Sequence, residues 1–187
     1  CKSGSGFTRG WGFRTEIGTA AVPNYESLVK FIPEKDLWPI NDMWNLHYFG
    51  QMAFNAGPER HTAVIENSYG GAKDAKEFCM KSQWVSYESN KALYEGWLDH
   101  MWNDATGVML WMSGASYPSM VWQTYDYYYD LTGAYFGCKQ ACEPVHIYWN
   151  PVTEEVKVAN TTTKDYDGLT AEATVYNMDG KPVARYS

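Results

Sequence analysis

Residues 72–103 hold no proline, and Phe78, Val85, Ala92, Leu98 and Met101 recur near helical spacing with lysines and glutamates between them. This pattern predicts one long helix or two abutting ones. After the stop at Asn103-Asp104-Ala105-Thr106-Gly107 comes Val108-Met109-Leu110-Trp111-Met112, an apolar run without alternation. Such a run suits a strand buried on both faces, the environment of a parallel sheet covered by helices. A second strand-like stretch, Trp11-Gly12-Phe13-Arg14-Thr15-Glu16, lies before the helix and passes through Gly18 to the breaker Pro23. Strand, helix and strand in succession make a unit of α/β architecture, and the Tyr-rich residues 121–139 are predicted to add another helix. Residues 24–60, with short helical patches, turn formers and exposed-looking aromatics, read as a long loop excursion.

Two strands with their helices are too few to close a sheet, so further strands are expected upstream. The opening Cys1-Lys2-Ser3-Gly4-Ser5-Gly6 reads as flexible residues at a cut from a longer chain. The texture changes at Glu143-Pro144. Residues 145–149, 155–160, 169–177 and 182–186 are short runs, several alternating, separated by Asn150-Pro151, Lys164-Asp165-Tyr166-Asp167-Gly168 and Met178-Asp179-Gly180. They predict antiparallel strands, the last pair a hairpin. The expected division is therefore 1–143, an α/β part, and 144–187, the first strands of a β-sandwich. An immunoglobulin-like sandwich takes about seven strands and roughly 100 residues, so the second part is expected to be partial as well.

The hydrophobic content of 45% with 20% charged residues describes a globular chain. Its net charge of −7 and lack of Lys/Arg clusters exclude a nucleic-acid footprint, which needs concentrated positive charge. The apolar runs fall far short of the roughly 20 residues that span a bilayer, and no signal-peptide pattern opens the chain. Cys1, Cys79, Cys138 and Cys142 lack the paired spacing of a zinc site, the last two reading as small buried thiols on one helix face, and the four histidines are scattered. No metal and no cofactor are assigned. Nine Trp and fifteen Tyr give an aromatic fraction of 17%, which suits either an aromatic core or the stacking of flat ligands such as sugar rings.

In a (β/α)8 barrel the chemistry sits at the C-terminal ends of strands, so a carboxylate there is a candidate and one on a helix face is not. Glu16 has that position, ahead of a glycine that lets the backbone turn away. The plain alternative is a Glu that caps a loop or pairs with Arg14. Asp126 and Asp130, four apart in the predicted Tyr-rich helix, are read as solvated charges or structural hydrogen-bonders rather than as a carboxylate pair.

Three segments carry a resemblance. Gly12-Phe13-Arg14-Thr15-Glu16-Ile17-Gly18, Thr106-Gly107-Val108-Met109-Leu110-Trp111-Met112 and Trp122-Gln123-Thr124-Tyr125-Asp126 through Gly133-Ala134-Tyr135-Phe136-Gly137 resemble, in order, the end of the barrel in family two of the glycoside hydrolases. The branch most resembled contains exo-β-D-glucosaminidases and mannosylglycoprotein endo-β-mannosidases. Glu143-Pro144-Val145-His146-Ile147 and Val156-Lys157-Val158-Ala159-Asn160-Thr161-Thr162 resemble its passage into the next immunoglobulin-like domain. The segment from Asn41 to Gly71 carries little of the likeness.

The resemblance implies the C-terminal portion of a TIM barrel, strands 7 and 8 with their helices over 1–143, followed by the start of an immunoglobulin-like sandwich. It implies Glu16 as the nucleophile of a retaining β-glycosidase and Trp111, at the end of strand 8, as an indole face for a sugar ring. Retaining enzymes need a second carboxyl about 5–5.5 Å away as acid/base, and in the family that residue precedes the nucleophile by a long stretch. The expected partners are a carbohydrate substrate and the remainder of the polypeptide or another copy, the 187 residues alone being expected inactive. β-Glucosaminide and β-mannoside both remain open, and a periplasmic or secreted location is expected from where such glycans lie. A non-catalytic carbohydrate-binding or structural module is the competing reading. Trp38, Trp44 and Trp122 are assigned to packing ahead of ligand contact, and Asn160-Thr161-Thr162 is a glycosylation pattern of common accidental occurrence.

Overall fold

The computed structural model describes residues 11–49, 58–120 and 122–187; the opening Cys1-to-Gly6 stretch lies outside them. Contacts divide the chain into two compact units, Cys1–Glu143 and Pro144–Ser187.

In the first unit, strand β1 (Gly12–Ile17) and strand β2 (Ala105–Leu110) pair in parallel. Between them in the chain come α1 (Tyr25–Leu28), a 3₁₀ turn at Glu34–Asp36, α2 (Asp42–Leu46), α3 (Pro58–Tyr69) and α4 (Ala75–Asp99); α5 (Gly133–Ala141) follows β2. The predicted long helix is thus a single one. Its start is fixed at both ends of the first turn: the Asp74 carboxylate accepts the Glu77 N–H at 2.8 Å, and the Glu77 carboxylate accepts the Lys73 N–H at 3.0 Å.

Helix α4 forms the crossover and is anchored to the strands by specific groups. Near its end the Trp97 indole N–H donates to the Gly107 carbonyl of β2 at 3.0 Å, and Trp11 packs edge-on to Trp97 and stacks on His100. Further back, Gln83 donates to the Val22 carbonyl at 2.9 Å and accepts the Gly133 N–H of α5 at 2.8 Å, tying the segment after β1 to both helices.

Four expectations are corrected. Residues 24–49 are not an excursion of exposed aromatics: Trp44 and Phe49 are fully buried with Phe78, Leu28, Ile32 and Ile65, and Trp38 packs against that cluster. The chain there folds back to build a core under α4, a tertiary choice that local turn chemistry does not reveal. Strand β2 begins at Ala105 and, among the described residues, is not buried on both faces: Met109 and Trp111 are about half exposed, and β1 is the one strand beside it.

The Tyr-rich stretch from 122 to 132 is a structured loop rather than a helix, only Gly133–Ala141 being helical. Asp126 is the cause. Its Oδ1 accepts the backbone N–H of Tyr128 and of Asp130, at 2.8 and 3.0 Å, a local bond set that competes with helix formation. Left-handed backbone at Trp122 (φ 50) and Tyr129 (φ 64) completes the departure. Cys138 is half-buried and Cys142 exposed, so the pair is not two buried thiols.

The second unit holds two antiparallel pairs, β3 (Val145–Asn150) with β4 (Glu155–Asn160) and β5 (Ala173–Tyr176) with β6 (Pro182–Tyr186). The β5–β6 turn is shaped by Asn177, whose side-chain oxygen accepts the N–H of Asp179 and Lys181. Among the described residues no helix is long and apolar enough to cross a membrane.

Candidate active site at the strand ends

The C-terminal ends of β1 and β2 are brought together by one bond and one close approach. The Trp111 N–H donates to the Ile17 carbonyl at 2.7 Å, extending the ladder past β2. Next to it Gly18 lies so near the second strand that a Cβ there would meet the Trp111 carbonyl oxygen at 2.0 Å. Only glycine fits, and the two predicted site residues, Glu16 and Trp111, consequently sit on adjoining strand ends.

A bulge sets Glu16 apart from the rest of β1. Arg14 faces Val108 and Ile17 faces Leu110, so Thr15 and Glu16 together stand opposite the single residue Met109. An extra residue of this kind re-aims a side chain and is favoured at barrel rims beside active sites. Glu16 is exposed, and among the described residues no hydrogen bond or ion pair engages its carboxylate. The alternative of a Glu locked in a loop cap or paired with Arg14 has no support in this geometry.

Trp111 is 45% exposed. Trp122, assigned to packing in the sequence, adjoins it: the Met112 N–H donates to the Trp122 carbonyl at 3.0 Å, and the Trp122 ring lies 3.1 Å from the position of a Gly18 Cβ. If a sugar ring packs on Trp111, Trp111→Ala should cost about 1–3 kcal/mol in kcat/KM for a glycoside; unchanged kinetics in a folded variant would return the indole to packing.

The loop after β2 is pinned from several directions. Ser113 O accepts from the backbone N–H of Thr124 and of Tyr125 and from the Thr124 hydroxyl, and the Met120 N–H donates to His47 O at 2.8 Å. Asp126, 2% exposed, has its Oδ2 without a hydrogen-bond partner among the described residues. Leaving such an oxygen unmatched costs about 1–3 kcal/mol, so holding this turn outweighs a real penalty. Asp130 accepts from the Asn24 side chain at 2.8 Å, linking the loops that follow the two strands.

Beside the strand ends is a cavity of about 500 Å³ lined by Gly18, Thr19, His61, Glu88, Ser89 and Trp122 among others, but by neither Glu16 nor Trp111. His61 in its wall is buried against Ser82, its Nε2 3.0 Å from the hydroxyl, and burial lowers its pKa from 6.5 to about 4. The folded state thus favours neutral His61. Its contribution to stability is complete above pH 6.5 and is lost as pH falls toward 4, a swing of about 3 kcal/mol. Urea midpoints at pH 7 and 4.5 should show that loss, and His61→Gln should remove it.

Burial raises the Cys79 thiol to about 12, and burial with the Cys142 neighbour raises Cys138 to about 11, so neither is a thiolate near neutral pH. Among the described residues no group of three or more His, Cys, Asp or Glu is placed to hold a metal ion.

Comparison with known proteins finds β-glycosidases among the relatives of this chain. No protein-family profile matches the chain. Over 185 residues it is 29% identical to the mannosylglycoprotein endo-β-mannosidase of Lilium longiflorum, covering 91% of this chain and 19% of that protein. With the exo-β-D-glucosaminidase of Amycolatopsis orientalis it shares 29% identity over 178 residues, 91% of this chain and 17% of the relative. Its fold matches the solved structure of the Amycolatopsis orientalis exo-chitosanase in complex with PNP-β-D-glucosamine at a TM-score of 0.75 and 23% identity, over 95% of this chain and 22% of that one. The resemblance to this branch of glycoside hydrolase family two is borne out along nearly the whole chain. The chain spans about a fifth of the length of the curated relatives it matches.

Proposed function

We propose that this chain is the nucleophile-bearing part of a retaining β-glycosidase, with Glu16 attacking the anomeric carbon of a β-glucosaminide or β-mannoside. The observation that carries the reading is the exposed, unengaged carboxylate on a bulge at the C-terminal end of a parallel strand, adjoining a half-exposed tryptophan. In the double displacement, the carboxylate oxygen bonds to the anomeric carbon as the glycosidic bond breaks, and a second carboxyl gives its proton to the leaving oxygen. Water then releases the sugar, the second group acting as base.

In this reading β1 and β2 are strands 7 and 8 of a (β/α)8 barrel, and residues 144–187 begin an immunoglobulin-like sandwich. The outer edges of the β1–β2 pair are without neighbours among the described residues, a state parallel sheets avoid. On β3–β4, Ile147 faces Val158 and Trp149 faces Val156, four exposed apolar side chains of the kind a second sheet covers. The acid/base carboxyl and the walls of the sugar site come from the remainder of the polypeptide or from another copy.

The test is labelling with a 2-deoxy-2-fluoro glycoside bearing a good leaving group, which traps the covalent intermediate, followed by peptide mapping. The label should fall on the peptide containing Glu16. Sugar binding with no covalent label, or a label on another carboxylate, would make the chain a carbohydrate-binding or structural module at this end.

A further inference from the structure

The loop after β2 carries a feature that the nucleophile reading does not use. Tyr125 and Tyr129 stack with ring centroids 6.1 Å apart and planes 20° from parallel, and Tyr129 is 83% exposed. Gly114 lies close to Tyr125, since a Cβ there would come within 2.5 Å of the ring. Main chain therefore adjoins the Tyr125 ring, and the Tyr129 ring is open to solvent.

A single exposed tyrosine is ordinary, but this one is built into place. The Asp126 carboxylate and the Tyr129 N–H, which donates to Asp126 O at 3.0 Å, fix the turn, and Tyr129 is held in left-handed backbone that an aromatic residue avoids unless its surroundings impose it. Asn24 reaches from the segment after β1 to both Asp130 and the Leu131 carbonyl. Gly114 is three residues past Trp111, so the two Cα atoms lie within about 11 Å, which puts the Tyr125 ring, with Tyr129 beyond it, in the neighbourhood of the strand ends.

Charge narrows the occupant. No Lys or Arg occurs between Lys91 and Lys139, and the loop's own charges are Asp126 and Asp130. Lys30 approaches the turn from outside the loop, its Nζ 4.5 Å from the Tyr128 ring centroid. A polyanion has little to bind there, whereas a neutral or amine-bearing pyranose offers the flat C–H face that aromatic rings take.

We infer that Tyr129, stacked on Tyr125, is an outlying subsite that holds a sugar of an extended β-linked glycan while another sugar is at Glu16. This rests on the proposed glycosidase reading. The platform adds affinity for oligomers and contributes little to monosaccharide glycosides. Its shared ligand chemistry is the pyranose face, and Asp130 beside it favours the amino-sugar form.

The experiment compares kcat/KM in the assembled enzyme for an aryl β-monoglycoside and for β-1,4-linked glucosamine and mannose oligomers. With Tyr129→Ala the loss on an oligomer should exceed the loss on the monoglycoside by on the order of tenfold, Tyr129→Trp should recover it, and Tyr129→Leu, apolar but not flat, should not. A differential on the glucosamine arm that shrinks with added salt marks the amine as part of the recognition; one on both arms marks the ring face alone, and either supports the subsite. Equal losses on both substrate types, or oligomer kinetics unmoved while the melting temperature falls, would assign the ring to packing and overturn it. Glu16→Gln is run in parallel on the monoglycoside, so that a failure of the nucleophile assignment is read separately from a failure at Tyr129.

Discussion

Glu16→Gln is expected to lower kcat on the order of 10⁴-fold or more while sugar binding persists, the scale of losing a nucleophile that acts as part of a unit. The amide keeps the volume and much of the hydrogen-bonding capacity of the carboxylate. It lacks the charge needed to form the glycosyl bond and to steady an oxocarbenium-like transition state. Because no described side chain is bonded to Glu16, the exchange breaks no contact that holds β1, and the variant should fold as the parent does. Titration with a substrate analogue, alongside turnover of an unactivated glycoside, separates the two quantities. Near-normal turnover would end the assignment of Glu16 as nucleophile.

Gly18→Ala should be strongly damaging although it leaves every chemical group of the site in place. The added methyl would stand 2.0 Å from the Trp111 carbonyl oxygen, 3.2 Å from its carbon and 3.1 Å from the Trp122 ring. Backbone is on one side and a packed indole on the other, so the strand ends must part and the Ile17–Trp111 hydrogen bond must lengthen. Overpacking of this kind costs about 1–3 kcal/mol of stability. Displacement of catalytic and binding groups by about an ångström reaches 10² in rate, so kcat/KM should fall by about that factor. Gly168→Asn is the control: its backbone is left-handed (φ 73) with open space around it, and Asn tolerates that conformation. A Gly18→Ala enzyme with parental activity would mean that the two strand ends are not held as described.

The sequence carried the elements whose cause is local. Helix α4 shows its repeat, and the β5–β6 hairpin shows its turn residues. Glu16 was legible as a candidate because a strand end followed by glycine has a recognisable form and the family likeness falls on it, and Trp111 because of that likeness alone. What was missed depends on distant partners. Phe49 fell in a stretch that looked exposed because its burial is supplied by Phe78 and Ile65 from other helices, whereas the assignment of Trp44 to packing holds. Helix α3 has few apolar residues to announce it. Residues 122–132 looked helical because tyrosines fill several faces, while the decision lay with one carboxylate that takes two backbone N–H groups. The bulge at Thr15 and Glu16 left no trace either, since register is a property of two strands and only one can be read at a time.

The Gly18 contact also bears on engineering by loop exchange. A graft that replaces everything after β1 would discard the residue whose missing side chain lets the neighbouring strand end close in. The safe splice point lies beyond Ala20, where the Ser86 hydroxyl meets the main chain at 3.4 Å and α4 takes over the anchoring. Chimeras joined there inherit the parental spacing of the strand termini, and chimeras joined before Gly18 inherit whatever spacing the donor loop imposes.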